Sequence, residues 1–466
     1  MKLAFLDIPV VALFLFFLFS SLISIDRWAS FAGSFGVWRD GFFVFFLQVL
    51  WYFFAARFLN LHGIWRFGFI LPVLFLFLLG IIAKSFIVTF LGLSGLLFFH
   101  IARKFKGSEI LLVALLFVVL LLLGAFPISS FLPLRDSLLD LASSWNIAFS
   151  SLLDSPKNFF FGTGPGTFSL DVLRYGSVET RFPAGETWFP GSGFAQILAT
   201  LGVIGFVLYV LVFVLAFLRF AFLAFQKNDS VQGFLGASLF AVFGAYLLSP
   251  ATLPLLFLFW TLASFAREKT HTIPKVTKPL WRLGTFALAG FVVFMGFRVI
   301  AAQAVYQKAT REPNLEKRTS FFKTAEKINP YEPAYKIQLA RLYIQEAKKE
   351  MQGDKPSPEA VTAIERAFLQ LQGAVRTGSA RPDAWEALGM LYKEIQAAPG
   401  AKEWGVKAFE TAIMLSPKNP RLYTELGMLY TQKEEFDVAG QYFKKALVLS
   451  PGFLDALMAL ALLEEK

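Results

Sequence analysis

Over the first 300 residues apolar positions come in long unbroken runs, and after Val299 they thin into a helical rhythm among charges. An apolar run of about 20 residues suits a helix that crosses a bilayer. On that rule the sequence predicts spans near 8–25, 41–59, 66–83, 85–102, 110–126, 200–223, 234–249, 251–266 and 283–302. The expected fold class is all-α. A polytopic transmembrane helical bundle of about nine spans fills residues 1–302, and a helical solenoid fills residues 303–466.

One long polar segment, the loop 127–193, interrupts the apolar half. At about 65 residues it exceeds an ordinary connection and is either functional or disordered. Between Phe131 and Leu153 its apolar residues (Leu134, Leu138, Leu141, Ile147, Leu152) recur at helical spacing, which predicts an amphipathic helix lying on a membrane surface. A glycine-rich turn follows at Gly162-Thr163-Gly164-Pro165-Gly166, and the chain re-enters apolar sequence through Leu201-Gly202-Val203-Ile204-Gly205.

Composition agrees with the pattern. The chain is 56% hydrophobic with 57 Phe, and its mean hydropathy is +0.58. Those values place it among polytopic membrane proteins. The net charge of +11 is spread through short loops rather than gathered on one face, so no nucleic-acid partner is expected. There is no Cys, and His62, His100 and His271 are scattered, so neither a metal nor another cofactor is expected. The first apolar run lacks a small-residue cleavage site before Asp26-Arg27-Trp28 and reads as a retained helix. Lys2, Arg57, Arg66, Arg103, Lys104, Lys106 and Lys227 fall on one side of the spans, whereas the opposite short loops hold only Arg27, Arg39 and Lys84. Positive charge marks the cytoplasmic side. The chain is therefore expected in the cytoplasmic (inner) membrane as a multi-pass protein, with its N-terminus cytoplasmic and with loop 127–193 and residues 303–466 extracytoplasmic. Asp7 reads as an interfacial residue.

The candidate chemistry lies in the outer loop. Gly162, Gly164 and Gly166 allow a backbone to turn sharply and to approach a ligand, and exposed N–H groups there could form an anion nest. No Lys-Ser/Thr follows, so this is not a nucleotide P-loop, and a plain turn is the simpler reading. Asp171, Arg174, Glu179, Arg181, Glu186 and Trp188 come next within 18 residues. Arginine can hold phosphate oxygens, a carboxylate can accept a proton from an attacking hydroxyl, and Trp can stack on a sugar. A solvated loop with incidental ion pairs is the alternative. Lys84, at the outer junction of two spans, is either a snorkelling anchor or part of a site.

Phe161-Gly162-Thr163-Gly164-Pro165-Gly166-Thr167-Phe168 resembles the glycine motif that opens the large periplasmic loop of O-antigen ligase and polymerase-type proteins. Gln196-Ile197-Leu198-Ala199-Thr200-Leu201-Gly202-Val203-Ile204-Gly205 is similar to that family's re-entry into the membrane. The resemblance covers roughly residues 65–260. It implies a metal-independent glycosyltransferase that takes a polyprenyl-diphosphate-linked glycan, with membrane lipid as its surroundings. Cations there would offset charge growing on the departing diphosphate. By resemblance Arg181 matches the loop cation and Lys84 a second basic residue at the outer end of a membrane helix. Many members carry a His-Asn pair before the re-entrant helix and a Glu within it. Alignment on Gly202 puts Gly191 and Ser192 at the pair and Thr200 at the acid. Either Glu179 or Glu186 substitutes as the base, or the acceptor differs, or the site is inactive.

The tail carries a repeat. Tyr423, Leu426, Gly427, Tyr430, Ala439, Phe443, Ala446 and Pro451 match the tetratricopeptide pattern, and Trp385, Leu388, Gly389, Tyr392, Phe409, Ala412 and Pro417 match it again. Phe322, Ala325 and Pro330 mark an earlier half-repeat, and Leu339, Ala340 and Tyr343 open another. Such an array offers a surface for a protein partner. Two functions follow: transfer or polymerisation of a lipid-linked glycan, or a non-enzymatic membrane-anchored scaffold with a degenerate ligase-like domain. A transporter is a weaker third, since little charge lies within the spans.

Overall fold

The computed structural model describes residues 5–33, 40–58, 139, 141–176, 190–227, 230–251, 253–267, 279–350 and 357–464. Every regular element among them is a helix. In chain order these are α1 (Asp7–Leu22), α2 (Arg27–Ala32), α3 (Phe42–Phe58), α4 (Leu141–Leu153), α5 (Pro156–Phe161), α6 (Phe168–Tyr175), α7 (Gly193–Lys227), α8 (Ser230–Leu248) and α9 (Leu253–Ala266). There follow α10 (Pro279–Arg311), α11 (Leu315–Ile328), α12 (Pro333–Glu350), α13 (Pro358–Thr377), α14 (Pro382–Glu394), α15 (Ala401–Leu415), α16 (Pro420–Gln432), α17 (Phe436–Leu449) and α18 (Leu454–Glu464). Two compact units divide the chain: residues 1–24, 39–168 and 187–289 form the first, and residues 25–38, 169–186 and 290–466 the second.

In the first unit α7 is the axis, with α1, α4, α5, α8 and α9 packed on it and α3 paired with α9. Its centre is aromatic. Phe194, Tyr209, Phe213, Tyr246, Phe259 and Trp260 are all buried. Phe213 stacks on Phe259 at 4.1 Å between centroids, and the Tyr209 and Tyr246 hydroxyls share a 3.0 Å hydrogen bond. Offset and tilted ring pairs of this kind add to plain area burial. At the N-terminal end of α1, Asp7 is fully buried within the protein. It accepts two hydrogen bonds from Arg267, at 2.7 and 2.8 Å, and one from Tyr52 at 3.1 Å. A bidentate guanidinium and a phenol satisfy a carboxylate that water cannot reach.

Outward-facing positions of α7 are apolar along its length: Ile204, Val207, Leu211, Val214, Leu218 and Phe222 are exposed. Among the described residues one helix, Gly193–Ala224, is long and apolar enough to cross a membrane. Four of the expected spans, 8–25, 41–59, 234–249 and 251–266, fall on α1, α3, α8 and α9. Pro250 disfavours helix at Ser249, and α8 ends at Leu248. The expected span 283–302 lies inside the 33-residue α10. Those at 66–83, 85–102 and 110–126 lie outside the described residues.

In the second unit the helices pair as α12 with α13, α14 with α15 and α16 with α17, and α18 follows. Alanines fill the seams, with Leu371, Phe409 and Phe443 at matching places: Ala363, Ala367, Leu371, Phe409, Ala412, Ala439, Phe443 and Ala446 are buried. Small residues admit close helix approach and the rings fill what is left. The unit takes up α10 from Gly290 onward, where Ala302, Tyr306 and Ala309 pack with Phe322 and Tyr335. The helix runs unbroken through residue 302, and the contact division falls at Gly290. Bulges in the repeat pattern fall between helices, as at residues 397–400 before α15.

Candidate functional site

The described side chains converge most strongly on the edge of the array formed by the turns that lead into α12, α14 and α16. Each of these helices opens on a proline, Pro333, Pro382 or Pro420, whose fixed φ and missing N–H suit the first helical position. The fourth residue of each helix reaches back to a carbonyl six residues earlier on the preceding turn. Trp385 Nε1 donates to Ser379 O at 2.8 Å and Tyr423 Oη to Pro417 O at 2.9 Å. Lys336 Nζ, at the same register, donates to Pro330 O. Burial pushes the Lys336 ammonium below its ordinary pKa range.

The residue just before each proline sets the charge of the turn. Asn419 Oδ1 accepts from the Arg421 N–H at 3.1 Å, and Glu332 Oε1 from the Ala334 N–H at 3.2 Å, so both cap their helices. Arg381 stands at the same place but has no acceptor to offer. It reaches across to Glu332 at 2.7 Å and folds back onto Asp383 at 2.9 Å. Further ion pairs join successive helices: Arg421 to Glu386 at 3.2 Å, Lys393 to Glu425 at 2.7 Å and Lys348 to Glu394 at 2.7 Å. The result is a ladder of paired charges across α12, α14 and α16. Burial raises the carboxyl pKa of Glu332 and of Glu386 against the pull of Arg381 and of Arg421 and Arg341 respectively. Burial opposes the charge on Arg381 as well, but Asp383 and Glu332 outweigh it and raise its pKa.

Two segments remote in sequence dock on this edge. The first is α2 with its N-cap Asp26, which accepts from the Ala29 N–H at 3.0 Å. Asp26 is buried and sits in the field of Arg381, and Trp28 lies on the Tyr331 ring at 4.9 Å. The second is α6, whose last carbonyls are received at the next turn along. Ser416 Oγ donates to Leu173 O at 3.2 Å and Lys418 Nζ to Tyr175 O at 3.1 Å. A cation at a helix C-terminus also complements the helix dipole.

Of the residues singled out in the sequence, Lys84 and, in the outer loop, Glu179, Arg181, Glu186 and Trp188 lie outside the described residues. Arg174 is an exposed residue of α6, its guanidinium 5.5 Å from the Tyr175 ring centroid. The glycine turn belongs to the first unit, and its amides are engaged within the protein. Gly162 N–H donates to Asn158 O at 2.9 Å, Thr163 N–H to Ala199 O at 3.1 Å and Gly164 N–H to Thr200 O at 2.9 Å. Gly162 and Gly202 both hold positive φ, 72° and 65°. A Cβ on Gly162 would lie 2.2 Å from Thr200 O, and one on Gly202 would lie 2.6 Å from Gly162 N. Backbone meets backbone there, with Gly202 as the non-helical break inside α7. Gly166 also has positive φ, at 70°, and a Thr163–Thr167 hydroxyl pair at 2.8 Å closes the turn. Ser192 Oγ accepts from the Ala195 N–H at 3.3 Å and donates to Tyr246 O at 3.2 Å. Gly191 N–H donates to Ser144 Oγ at 2.7 Å, and Thr200 Oγ1 donates to Gln196 O at 2.7 Å. Among the described residues no group of three or more His, Cys, Asp and Glu is arranged to hold a metal ion.

The sequence reading missed Asp26, Trp28, Glu332, Arg381 and Lys336. The repeat register carried a signal for three of them. Lys336 falls at the place of Trp385 and Tyr423, and Glu332 and Arg381 at that of Asn419. Nothing in the sequence tied Asp26 and Trp28 to residues more than 300 positions away.

Residues 420–453 match the tetratricopeptide repeat family. No curated protein matches the chain. Among solved structures, a thermophilic TPR protein of Thermus thermophilus is similar at 19% identity over 40% of this chain and 95% of that one, with a TM-score of 0.32. MamA is similar at 20% identity over 34% and 82%, with a TM-score of 0.28. Pseudomonas aeruginosa pilF is similar at 18% identity over 36% and 69%, with a TM-score of 0.30. The chain is all-helical among its described residues and carries a tetratricopeptide repeat domain.

Proposed function

We propose that this chain is a membrane-held scaffold whose tetratricopeptide array recruits a protein partner. The observation that carries the reading is the array itself, with ion pairs along α12, α14 and α16 whose Lys348 and Arg421 are exposed and remote segments of the same chain already seated on its edge. A surface of this kind recognises polypeptide by charge and hydrogen bonding more than by apolar burial. The exposed apolar stripes on α7 and on α10 (Phe291, Phe294, Phe297 and Ile300) support membrane embedding. The multi-pass arrangement of about nine spans is proposed with it from the apolar runs of the sequence. The N-terminus is then cytoplasmic, and loop 127–193 and residues 303–466 are extracytoplasmic. A photo-crosslinking residue at Arg421, on the ladder, should capture a discrete protein partner in cells. One at Trp404, away from the ladder, should not. Equal capture at both positions, or none at Arg421, would sink the scaffold reading.

A second reading is the transfer or polymerisation of a polyprenyl-diphosphate-linked glycan. The glycine turn and the re-entry motif that carry the resemblance are bonded to each other through Ala199 and Thr200, and this supports it. In this reading Arg181 and Lys84 meet the diphosphate, Glu179 or Glu186 serves as base, and Arg174 and Trp188 help hold the sugar chain. Arg181→Ala should shorten or detach the surface glycan. An unchanged glycan profile would refute it and leave the scaffold.

A further inference from the structure

Four exposed apolar residues of α10, Phe291, Phe294, Phe297 and Ile300, wind around the helix so that the first and last lie on opposite sides. Lipid covers both sides of a helix at once, as one packed neighbour does not. The stripe ends at Ile300, and the first charge beyond it is Lys308. Within the stripe's last turn, Arg298 Nε donates to Ile328 O at 2.8 Å, and Ile328 packs against the cluster of Ala302, Ala325 and Tyr335. The array's turn 328–333 therefore begins where the stripe ends. We propose that this turn and its neighbour, residues 376–382, lie in the headgroup layer of the bilayer and bind the phosphates of anionic lipids. The inference rests on the membrane-held reading above and adds to it a lipid-binding edge on the array.

A headgroup layer is about 5–8 Å deep on each face of a bilayer. At about 1.5 Å per residue it covers about four or five residues of α10 past Ile300, the level at which Ala302 meets Tyr335. The second turn shares that level with the first. Arg381 reaches Glu332 at 2.7 Å, and a Cβ on Gly378 would lie 2.6 Å from Pro333 Cγ.

The side chains that these turns present suit such a layer. Lys327 and Arg376 are exposed, as is Arg27 on the docked α2. The carboxylates are withdrawn: Glu332 is buried on Arg381, Asp383 is held by the same guanidinium at 2.9 Å, and Glu326 is half-buried. Tyr331 is 51% exposed, and Trp28 lies on its ring at 4.9 Å. Tyr and Trp rings have an apolar body and a polar tip, and they gather where a bilayer meets water. Each cation beside an anionic leaflet favours contact about fivefold, and salt screens the attraction.

The chain has no Cys, so a single introduced thiol can carry a fluorophore that reports its own surroundings. Ser379→Cys places it on the second turn, and Ala398→Cys on the turn before α15, at the opposite edge of the array. Both sites are exposed. Full-length protein is reconstituted in vesicles of phosphatidylcholine alone and of an equal mixture with phosphatidylglycerol, each doped with lipid that bears a nitroxide on its headgroup. Quenching at position 379 should exceed that at 398 and should rise several-fold with phosphatidylglycerol, the rise fading in high salt. Lys327→Ala with Arg376→Ala should lose most of the rise while the protein still floats with the vesicles, and Lys327→Arg with Arg376→Lys should keep it. Quenching no greater at 379 than at 398 overturns the inference. So does a signal indifferent to phosphatidylglycerol, or an alanine double variant that keeps the rise. A protein that floats with neither kind of vesicle overturns the membrane-held reading, and the inference with it.

Discussion

The two units hold themselves together by opposite means. In the first, backbone touches backbone. Gly162 lies on Thr200 and Gly202 on Gly162, aromatic rings fill the centre, and one bidentate ion pair on a buried carboxylate joins α1 to the half-buried Arg267 just beyond α9. In the second, small residues recur from helix pair to helix pair, and the ion pairs range from the largely buried Arg381–Glu332 pair to the more exposed Arg421–Glu386 and Lys348–Glu394 pairs. The same chemistry, a cation on a carboxylate, thus appears at two depths. Asp7 is 1% exposed and its Arg267 24%, whereas Glu386 is 16% exposed with Arg421 at 48%, and Glu394 32% with Lys348 at 55%. A buried carboxylate deprived of its partner is stranded without water, while an exposed one is not. The contrast predicts which substitutions each unit tolerates.

The largest effect is expected at the backbone contact. Gly202→Val demands both a branched side chain at positive φ and a Cβ 2.6 Å from the Gly162 nitrogen. No side-chain rotation relieves a clash with backbone, so the loss should exceed about 4 kcal/mol. Limited proteolysis should cut the first unit of the full-length variant while the array persists. Next is Asp7→Ala, which leaves Arg267 half-buried beside an emptied seat and should cost about 3–5 kcal/mol in thermal unfolding. The double variant Asp7→Leu with Arg267→Met should recover most of that. If the double variant is no better than the single, the pair was contributing more than its own desolvation. In the array, Phe443→Ala removes a ring that is 1% exposed and should cost about 3–5 kcal/mol.

How much of this was legible beforehand differs between the units, for a physical reason. A tetratricopeptide repeat is a local code in which spacing fixes which residues face the partner helix. Gly427 therefore predicts a ring packed close by, and a Cβ there would lie 2.5 Å from Phe443. Apolar spans carry no such code, because nearly every position is hydrophobic and the facing residues cannot be told from the outward ones. Ile204 and Phe213 look alike in sequence, yet one is exposed and the other buried. The glycine turn was legible as a turn, but nothing in the sequence named Thr200 as the backbone it approaches. The hub at Arg381 was hidden because its members come from three stretches, with Asp26 more than 300 positions away from the rest.

The smallest expected effect bears most directly on the comparison. Arg421→Ala removes one rung of the ladder, a 3.2 Å contact to Glu386 with half of the arginine in water. Exposed pairs of this kind are worth about 0–1 kcal/mol, and salt screens them further. The variant should therefore unfold within about 1 kcal/mol of the wild type, with the gap narrowing in high salt. Glu386 keeps Arg341 nearby, so losing the rung does not strand it. A loss above about 2 kcal/mol, insensitive to salt, would show that the ladder is a structural element of the same kind as the Asp7 pair. A near-neutral result together with lost partner capture would mean that the ladder's charges are kept for recognition rather than for stability.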